Sequence, residues 1–345
     1  MNLLDRILDP DKAPAIVAEL SGNHNNSYET AKDIIKAASD AGAHAVKLQT
    51  YTPQSITLDS DREEFVVQEG LWKGRRLHDL YQEACTPYEW HKPLSEYARD
   101  LGIELFSTPF DEKAVDFLES EIQPPLYKVS SFELTHLPLL KHIAQTGKPV
   151  VLSTGMASLQ EIEEAVHTLR SNGTENLVLL KCVSAYPSEA KGFNLRSMAA
   201  MGQTFKCPSG LSDHTLSNEI AVASVALGAR LIEKHVTDSR KQGAIDSGFS
   251  LEPSELSELV QATKRAHEAL GSPEIRGSSQ DEKQTHFRRS IYASADIEAG
   301  DTFTTENLRI VRPSLGLPPK YWEEILGKKA TRQIPFGHPL NPKDL

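Results

Sequence analysis

Runs of mostly apolar residues recur eight times in the first three-quarters of the chain, at 15–20, 43–50, 103–109, 126–131, 149–154, 177–184, 207–213 and 230–236. Most turn polar at their ends, as strands do when they are buried on both faces and emerge at a rim. Helical spacing fills the intervals. After Ser27, the residues Ala31, Ile34, Ile35 and Ala38 share one helical face, and Gly42 supplies a stop. Ser158 and Glu161 form a capping box ahead of Ile162, Val166 and Leu169, while Pro253 opens a helix carrying Leu256, Leu259 and Val260. Strands and helices in this alternation predict an α/β fold. The count favours a (β/α)8 barrel over an open doubly wound sheet, and roughly 250 residues is typical of one.

The alternation runs out near Leu270. Residues 271–283, with Gly-Ser-Pro and Gly-Ser-Ser, read as a connector. This divides the chain into a barrel over 1–272, a linker over 273–285 and a small domain over 286–345. In the last part, short β-prone pieces at 290–294, 302–303 and 308–311 are split by glycines and prolines, which predicts a small all-β module.

Composition narrows the function less than the pattern does. With 39% apolar and 25% charged residues, the chain is ordinary for a globular protein. No stretch approaches the roughly 20 apolar residues of a membrane span, and the first residues lack the apolar core of a signal peptide, so a cytoplasmic protein without a membrane partner is expected. Cys85, Cys182 and Cys207 form no close pair, which argues against a disulfide framework and a cysteine-rich zinc site; they are expected to pack inertly. A net charge of −11 argues against a nucleic-acid partner. Yet Lys47, Lys128, Lys181 and Lys234 all lie on predicted strands, where they would form a local basic funnel for a small anion.

The chemistry of a barrel gathers at the C-terminal ends of its strands. His214 and His235 each close one of the last two runs, with Asp213, Glu233 and Asp246 nearby. Two readings stay open for them: a divalent-metal pair, or two hydrogen-bonded structural histidines. Glu19, Gln49, Thr108, Ser131, Glu133, Ser153, Ser184 and Tyr186 also fall at strand ends, and a polar ring this complete implies a bound polar substrate.

Several segments resemble the sialic acid synthase family of nonulosonic acid synthases, which condense phosphoenolpyruvate with an amino-sugar. They are Ala18-Glu19-Leu20-Ser21-Gly22-Asn23-His24-Asn25, Val46-Lys47-Leu48-Gln49-Thr50, Phe106-Ser107-Thr108-Pro109-Phe110, Leu152-Ser153-Thr154-Gly155-Met156 and the stretch 210–215, in the family's order. Arg288-Arg289-Ser290, Asp296-Ile297-Glu298-Ala299-Gly300 and Gly327-Lys328-Lys329-Ala330 are similar to the antifreeze-like SAF domain that follows the barrel there. Within the family, the segments 48–53, 70–75 and 86–91 resemble the pseudaminate branch more than the N-acetylneuraminate branch. That implies 2,4-diacetamido-2,4,6-trideoxy-L-altrose as the acceptor, with the N-acetylneuraminate and legionaminate branches as alternatives.

The resemblance implies roles. His214 and His235 would hold a divalent ion, Mn²⁺ or Mg²⁺. Lys47 and Lys128, with Thr108, Ser131, Ser153, Ser184 and Ser212, would bind phosphoenolpyruvate. Glu133 would be the acid/base that handles the attacking water, and Glu19 would orient the sugar or a metal-bound water. Gln49, Tyr186 and Asp246 would contact the acceptor. Arg288 or Arg289 would reach the partner subunit's site in a domain-swapped homodimer. The chain departs from the sialate pattern at Lys181 and Ser184, where a neutral polar residue and an asparagine are expected.

Two other classes compete. Lys181, on the sixth strand, stands where Schiff-base aldolases of this fold carry their nucleophile. A carbohydrate-binding or ice-binding protein built on the C-terminal module is the third reading, but that module offers no regular threonine array or aromatic platform.

Overall fold

The computed structural model describes residues 1–275 and 277–345; residue 276, inside the expected linker, lies outside the described residues. Two compact units emerge, Met1–Gly271 and Ser272–Leu345.

The first unit is a closed barrel of parallel strands in sequential order: β1 Ala15–Glu19, β2 Ala45–Thr50, β3 Glu104–Pro109, β4 Tyr127–Val129, β5 Val150–Ser153, β6 Leu177–Cys182, β7 Ser209–Asp213 and β8 Leu231–His235, with β8 closing on β1. The fold therefore has the expected strands in the expected order. Its helices are α1 Leu3–Leu8, α2 Tyr28–Asp40, α3 Pro53–Ile56, α4 Leu77–Ala84, α5 Tyr88–Asp100, α6 Glu112–Glu121, α7 Leu137–Gln145, α8 Leu159–Ser171, α9 Arg196–Phe205, α10 Glu219–Ala226 and α11 Pro253–Leu270. The predicted caps form: Ser158 and Glu161 bond reciprocally at the start of α8, and Pro253 occupies the first turn of α11.

Side chains alternate across each strand, so each strand feeds two cores. Ile16, Ala18, Val46, Leu48, Leu211 and Ile232 face the helices in the outer layer. Ala15, Val17, Ala45, Phe106, Val151, Val178, Leu180 and Leu231 fill the barrel's interior together with Leu3 and Ile7 of α1. This apolar plug closes one end of the barrel, so the inward residues one step further along each strand form a floor at the other. No helix among the described residues is long and apolar enough to cross a membrane.

The second unit is the expected small β module, with more turn than strand. Among the described residues its regular sheet is β9 Ser290–Ala293 paired antiparallel with β10 Leu308–Val311, supplemented by single bridges such as Ile297 to Ile334 and Thr302 to Lys329. Short helices α12 Ser279–Glu282 and α13 Trp322–Ile325 accompany it. The dense glycines and prolines that signalled short strands also break them, and turns carry most of the unit. Ile291, Ile297, Phe303, Leu308, Ile325, Ile334 and Leu340 supply its core.

Candidate active site

Above the plug, strand alternation brings Glu19, Lys47, Thr108, Lys128, Ser153, Cys182, Ser212 and Glu233 to the inside of the barrel. The centre is an alternating charge network. Lys47 pairs with Glu19, donates to Thr108 Oγ1 at 2.9 Å and lies 3.9 Å from Glu233. Lys128 lies 3.9 Å from the other oxygen of Glu233 and donates to the Val129 carbonyl at 2.9 Å. Ser212 donates to Glu233 at 3.2 Å, and Gln49 donates to both Glu19 and Ser21 at 2.9 Å. All four charged groups are at most 5% exposed, so an unpaired one would be costly, and two lysines balance two carboxylates.

The protons settle unevenly. Burial pushes Glu19 up to about 7, against the pull of Lys47 and with repulsion from Glu233. Glu233 experiences the same burial, but Lys128 and Lys47 together hold it below the usual carboxylate range. Burial would lower Lys47, yet the two glutamates raise it; Lys128, with less compensation, is lowered by burial. The floor thus holds two cations against one firm anion and one carboxyl poised near neutrality.

The two histidines meet as expected, with ring centroids 5.3 Å apart. Bonding between His214 Nδ1 and the Val183 carbonyl at 2.9 Å orients that ring and turns Nε2 inward, while His235 Nδ1 is buried without a hydrogen-bond partner. Burial, then the neighbouring His214, keep His235 neutral. Burial would lower His214 as well, but its hydrogen bond to Cys182 raises it, so the unpartnered nitrogen of His235 is the one kept neutral as a ligand; two ring nitrogens side by side suit a divalent ion of borderline softness. Among the described residues, no cluster of three or more histidine, cysteine or acidic side chains could add further ligands.

Ser131 accepts from the Gly155 amide at 3.0 Å, and Ser153 Oγ is buried without a hydrogen-bond partner. Glycine at position 155 lets the serines close in, because a Cβ there would displace the hydroxyls of Ser184 and Ser131. These serines therefore close around one backbone turn beside the lysines.

Over the floor opens a cavity of about 300 Å³, whose lining includes Gln49, Glu133, Tyr186, His235 and Asp246. Asp246 accepts from Ser21 and from the Gly22 amide, and burial raises its carboxyl. Glu133 accepts from Ser130, and burial raises it despite that bond. Tyr186 packs against His214 and Phe249 at 4.5 and 5.2 Å. Arg288 and Arg289 belong to the second unit, exposed just ahead of β9.

Three expectations are corrected. Lys181 shares the outward face of β6 with Leu177 and Leu179, so it is turned away from the barrel interior and cannot serve there as a Schiff-base nucleophile. Lys234 also faces outward, donating to Asp213 at 2.9 Å and to the carbonyls of Thr215 and Ser217, so this pair is structural and Asp213 lies away from the histidines. Cys182, expected to be inert packing, instead faces the site beside His214; burial raises its thiol, but hydrogen bonding and charge from His214 bring it down to about 7. Sequence reading passed over Glu233 as a floor residue and the aromatic walls of Trp72, Tyr81 and Phe249; alternation counted inward from His235 would have found Glu233.

A family model described as the NeuB family matches residues 34–275, and one for the SAF domain matches residues 288–345. The chain belongs to the NeuB family. It is 43% identical over 334 residues to the pseudaminic acid synthase of Campylobacter jejuni strain 81-176, covering 97% of each chain. To the pseudaminic acid synthase of Helicobacter pylori it is 42% identical over 333 residues, covering 96% of this chain and 98% of that one. Among solved structures, the N-acetylneuraminic acid synthetase of Leptospira borgpetersenii in complex with citrate matches with a TM-score of 0.71 at 30% identity, over 79% of this chain and 90% of that chain.

Proposed function

We propose that this member of the NeuB family is a pseudaminic acid synthase, condensing phosphoenolpyruvate with 2,4-diacetamido-2,4,6-trideoxy-L-altrose to give pseudaminic acid and phosphate. The observation that carries the reaction is the buried floor: two lysines, with hydroxyls around them, share the site with two neighbouring imidazoles. The near-full-length identity to two pseudaminic acid synthases supports the branch.

In this reading, Lys47 and Lys128 meet the carboxylate and phosphate of phosphoenolpyruvate. Thr108, Ser131, Ser153, Ser184 and Ser212 add neutral donors in a dry site, where each counts for more than in water. A divalent ion, Mn²⁺ or Mg²⁺, held by His214 and His235 would polarise the aldehyde oxygen of the open-chain sugar as a Lewis acid. Gln49, Tyr186 and Asp246 orient the acceptor so that its C1 faces the enol carbon, and fixing two flexible reactants in this way is a large part of the catalytic task. The enol carbon forms the new C–C bond at C1, water adds at the former enol C2, and phosphate departs by C–O cleavage. Glu133, its carboxyl raised toward neutrality, takes the proton of that water. Glu19 accepts from Gln49 and pairs with the ammonium of Lys47, holding both in place. In solution the protein is a domain-swapped homodimer, with Arg288 or Arg289 entering the partner subunit's cavity.

The test is phosphate release from phosphoenolpyruvate with Mn²⁺, comparing the diacetamido-altrose with N-acetylmannosamine, each with and without EDTA. Chelator-sensitive turnover of the altrose is the expected result. Preference for N-acetylmannosamine would move the protein to the sialate branch, and turnover unaffected by EDTA would overturn the metal assignment. His214→Ala and His235→Ala should each abolish turnover while leaving thermal unfolding nearly unchanged; loss of folding in both would make the pair structural.

A further inference from the structure

The cavity has two chemically different sides. One part of its lining is polar, with Gln49, Glu133, Tyr186, His235 and Asp246; another is an apolar wall of Ile56, Val67, Trp72, Leu77, Leu80 and Tyr81. All six wall residues come from the stretch between β2 and α5, and most are only half-buried. Their apolar surface faces the cavity instead of a core, and it is stabilised only when an occupant covers it with apolar groups of its own.

The wall is held in place by a hairpin. Val66 bridges Arg76, Val67 donates to the Arg75 carbonyl at 2.9 Å and Gly74 donates to the Val67 carbonyl at 2.8 Å. Gly70 and Gly74, at φ of 81° and 83°, allow the tip between them to reverse. At that tip Trp72 reaches across the cavity. Its Nε1 donates to the Ile245 carbonyl at 3.1 Å, and its ring lies 5.7 Å from Tyr186 and 6.2 Å from Phe249. One side chain thus joins the loop after β2 to the loop after β8, above the polar residues.

Resting on the function proposed above, the geometry points to Trp72 and its hairpin as the determinant of acceptor specificity, reading the sugar's distal end through its C6 methyl and C4 acetamido methyl. Carbon 1 has to meet the enol carbon over Lys47 and Lys128, so the remainder of the open chain extends outward, past Gln49 and Asp246, to the wall. A C6 hydroxyl would be desolvated there against mostly apolar carbon, because the indole N–H is already bonded to Ile245 and only the hydroxyls of Tyr51 and Tyr81 remain as side-chain partners from that stretch.

The experiment compares wild type, Trp72→Ala and Trp72→Phe on two acceptors: the 2,4-diacetamido-2,4,6-trideoxy-L-altrose and its counterpart with a hydroxyl at C6. Trp72→Ala is expected to raise the acceptor KM about tenfold or more and to narrow the preference for the 6-deoxy sugar, leaving the KM for phosphoenolpyruvate within about twofold. Trp72→Phe keeps a ring but loses the tether, and should raise the acceptor KM about threefold while retaining the preference; if Trp72→Ala fails to fold, this variant decides. Equal shifts in the two KM values in either variant, or an unchanged preference in Trp72→Ala, would overturn the inference. Calorimetric titration with the non-reacting alditol of the diacetamido sugar separates the two proposals. Binding weakened about tenfold in Trp72→Ala supports the wall even if wild type releases no phosphate, which would sink only the reaction. Binding that is absent in wild type or unchanged in the variant sinks the wall.

Discussion

The floor of the barrel and the wall of its cavity stand side by side and are built on opposite plans. Floor residues sit on strands whose neighbours fix them in register, as Glu19 is fixed against both Lys47 and His235, and each charge there is met by another. Wall residues come from one stretch between β2 and α5, are largely apolar, and are carried by the short helices α3 and α4 and by a hairpin tied across by a single indole bond. The difference separates two tasks. Recognition of a small, highly charged reactant needs buried, preorganised cations, and strands hold these best; discrimination between sugars differing by a methyl or a hydroxyl needs only a surface that can be changed without disturbing the charges.

The largest effect that would test this division is on the floor. Lys47→Met leaves Glu19 and Glu233 short of a cation in a buried site, so it should abolish turnover and lower stability by about 3–5 kcal/mol in urea unfolding. A stable, active variant would show that the network is not the load-carrying part of the site. Acid should act next, and on the barrel as a whole. Burial lowers His24, His44 and His91 from 6.5 to about 4 each, so the folded chain refuses protons that the unfolded chain accepts. Stability is therefore full above about pH 6.5 and declines as pH falls toward 4, by on the order of 3 kcal/mol per imidazole. His44 makes the sign concrete, because its Nδ1 accepts from the Ile16 amide at 2.9 Å and a proton there would break the bond. Urea titrations of wild type and Trp72→Ala should show the same decline, since none of these three histidines belongs to the apolar wall; a different slope would couple the wall to the barrel around them. The smallest effect belongs to the wall itself. Leu77→Ala should raise the acceptor KM a few-fold, leave phosphoenolpyruvate binding alone and cost about 1 kcal/mol of stability, because the side chain is half-buried.

Sequence reading reached the floor more surely than the wall. The apolar runs located all eight strands, and the strand-end histidines, lysines and serines came with them. What those runs concealed was which side chains face inward. In a strand buried on both faces the two-residue period carries no polarity contrast, so nothing in Leu177-Val178-Leu179-Leu180-Lys181-Cys182 marks the cysteine as inward and the lysine as outward. The same ambiguity put Lys234 and Asp213 with the functional groups, although they are paired behind the barrel. The wall was illegible for another reason. Residues 51–87 follow neither a helical nor a strand period for long, and Trp72 gains its place from a hydrogen bond to a carbonyl 173 positions away.

The base of that stretch is clamped on the outside of the barrel, where Thr50 bonds His91 at 2.8 Å and also bonds Ser107. Entry and exit are thus secured by residues that never touch the cavity, and everything between them is one uninterrupted length of chain. For a gene, this makes part of the sugar preference a portable trait: two crossovers, one on either side of the clamp, would carry the apolar wall into a related barrel and leave the recipient's own chemistry in place.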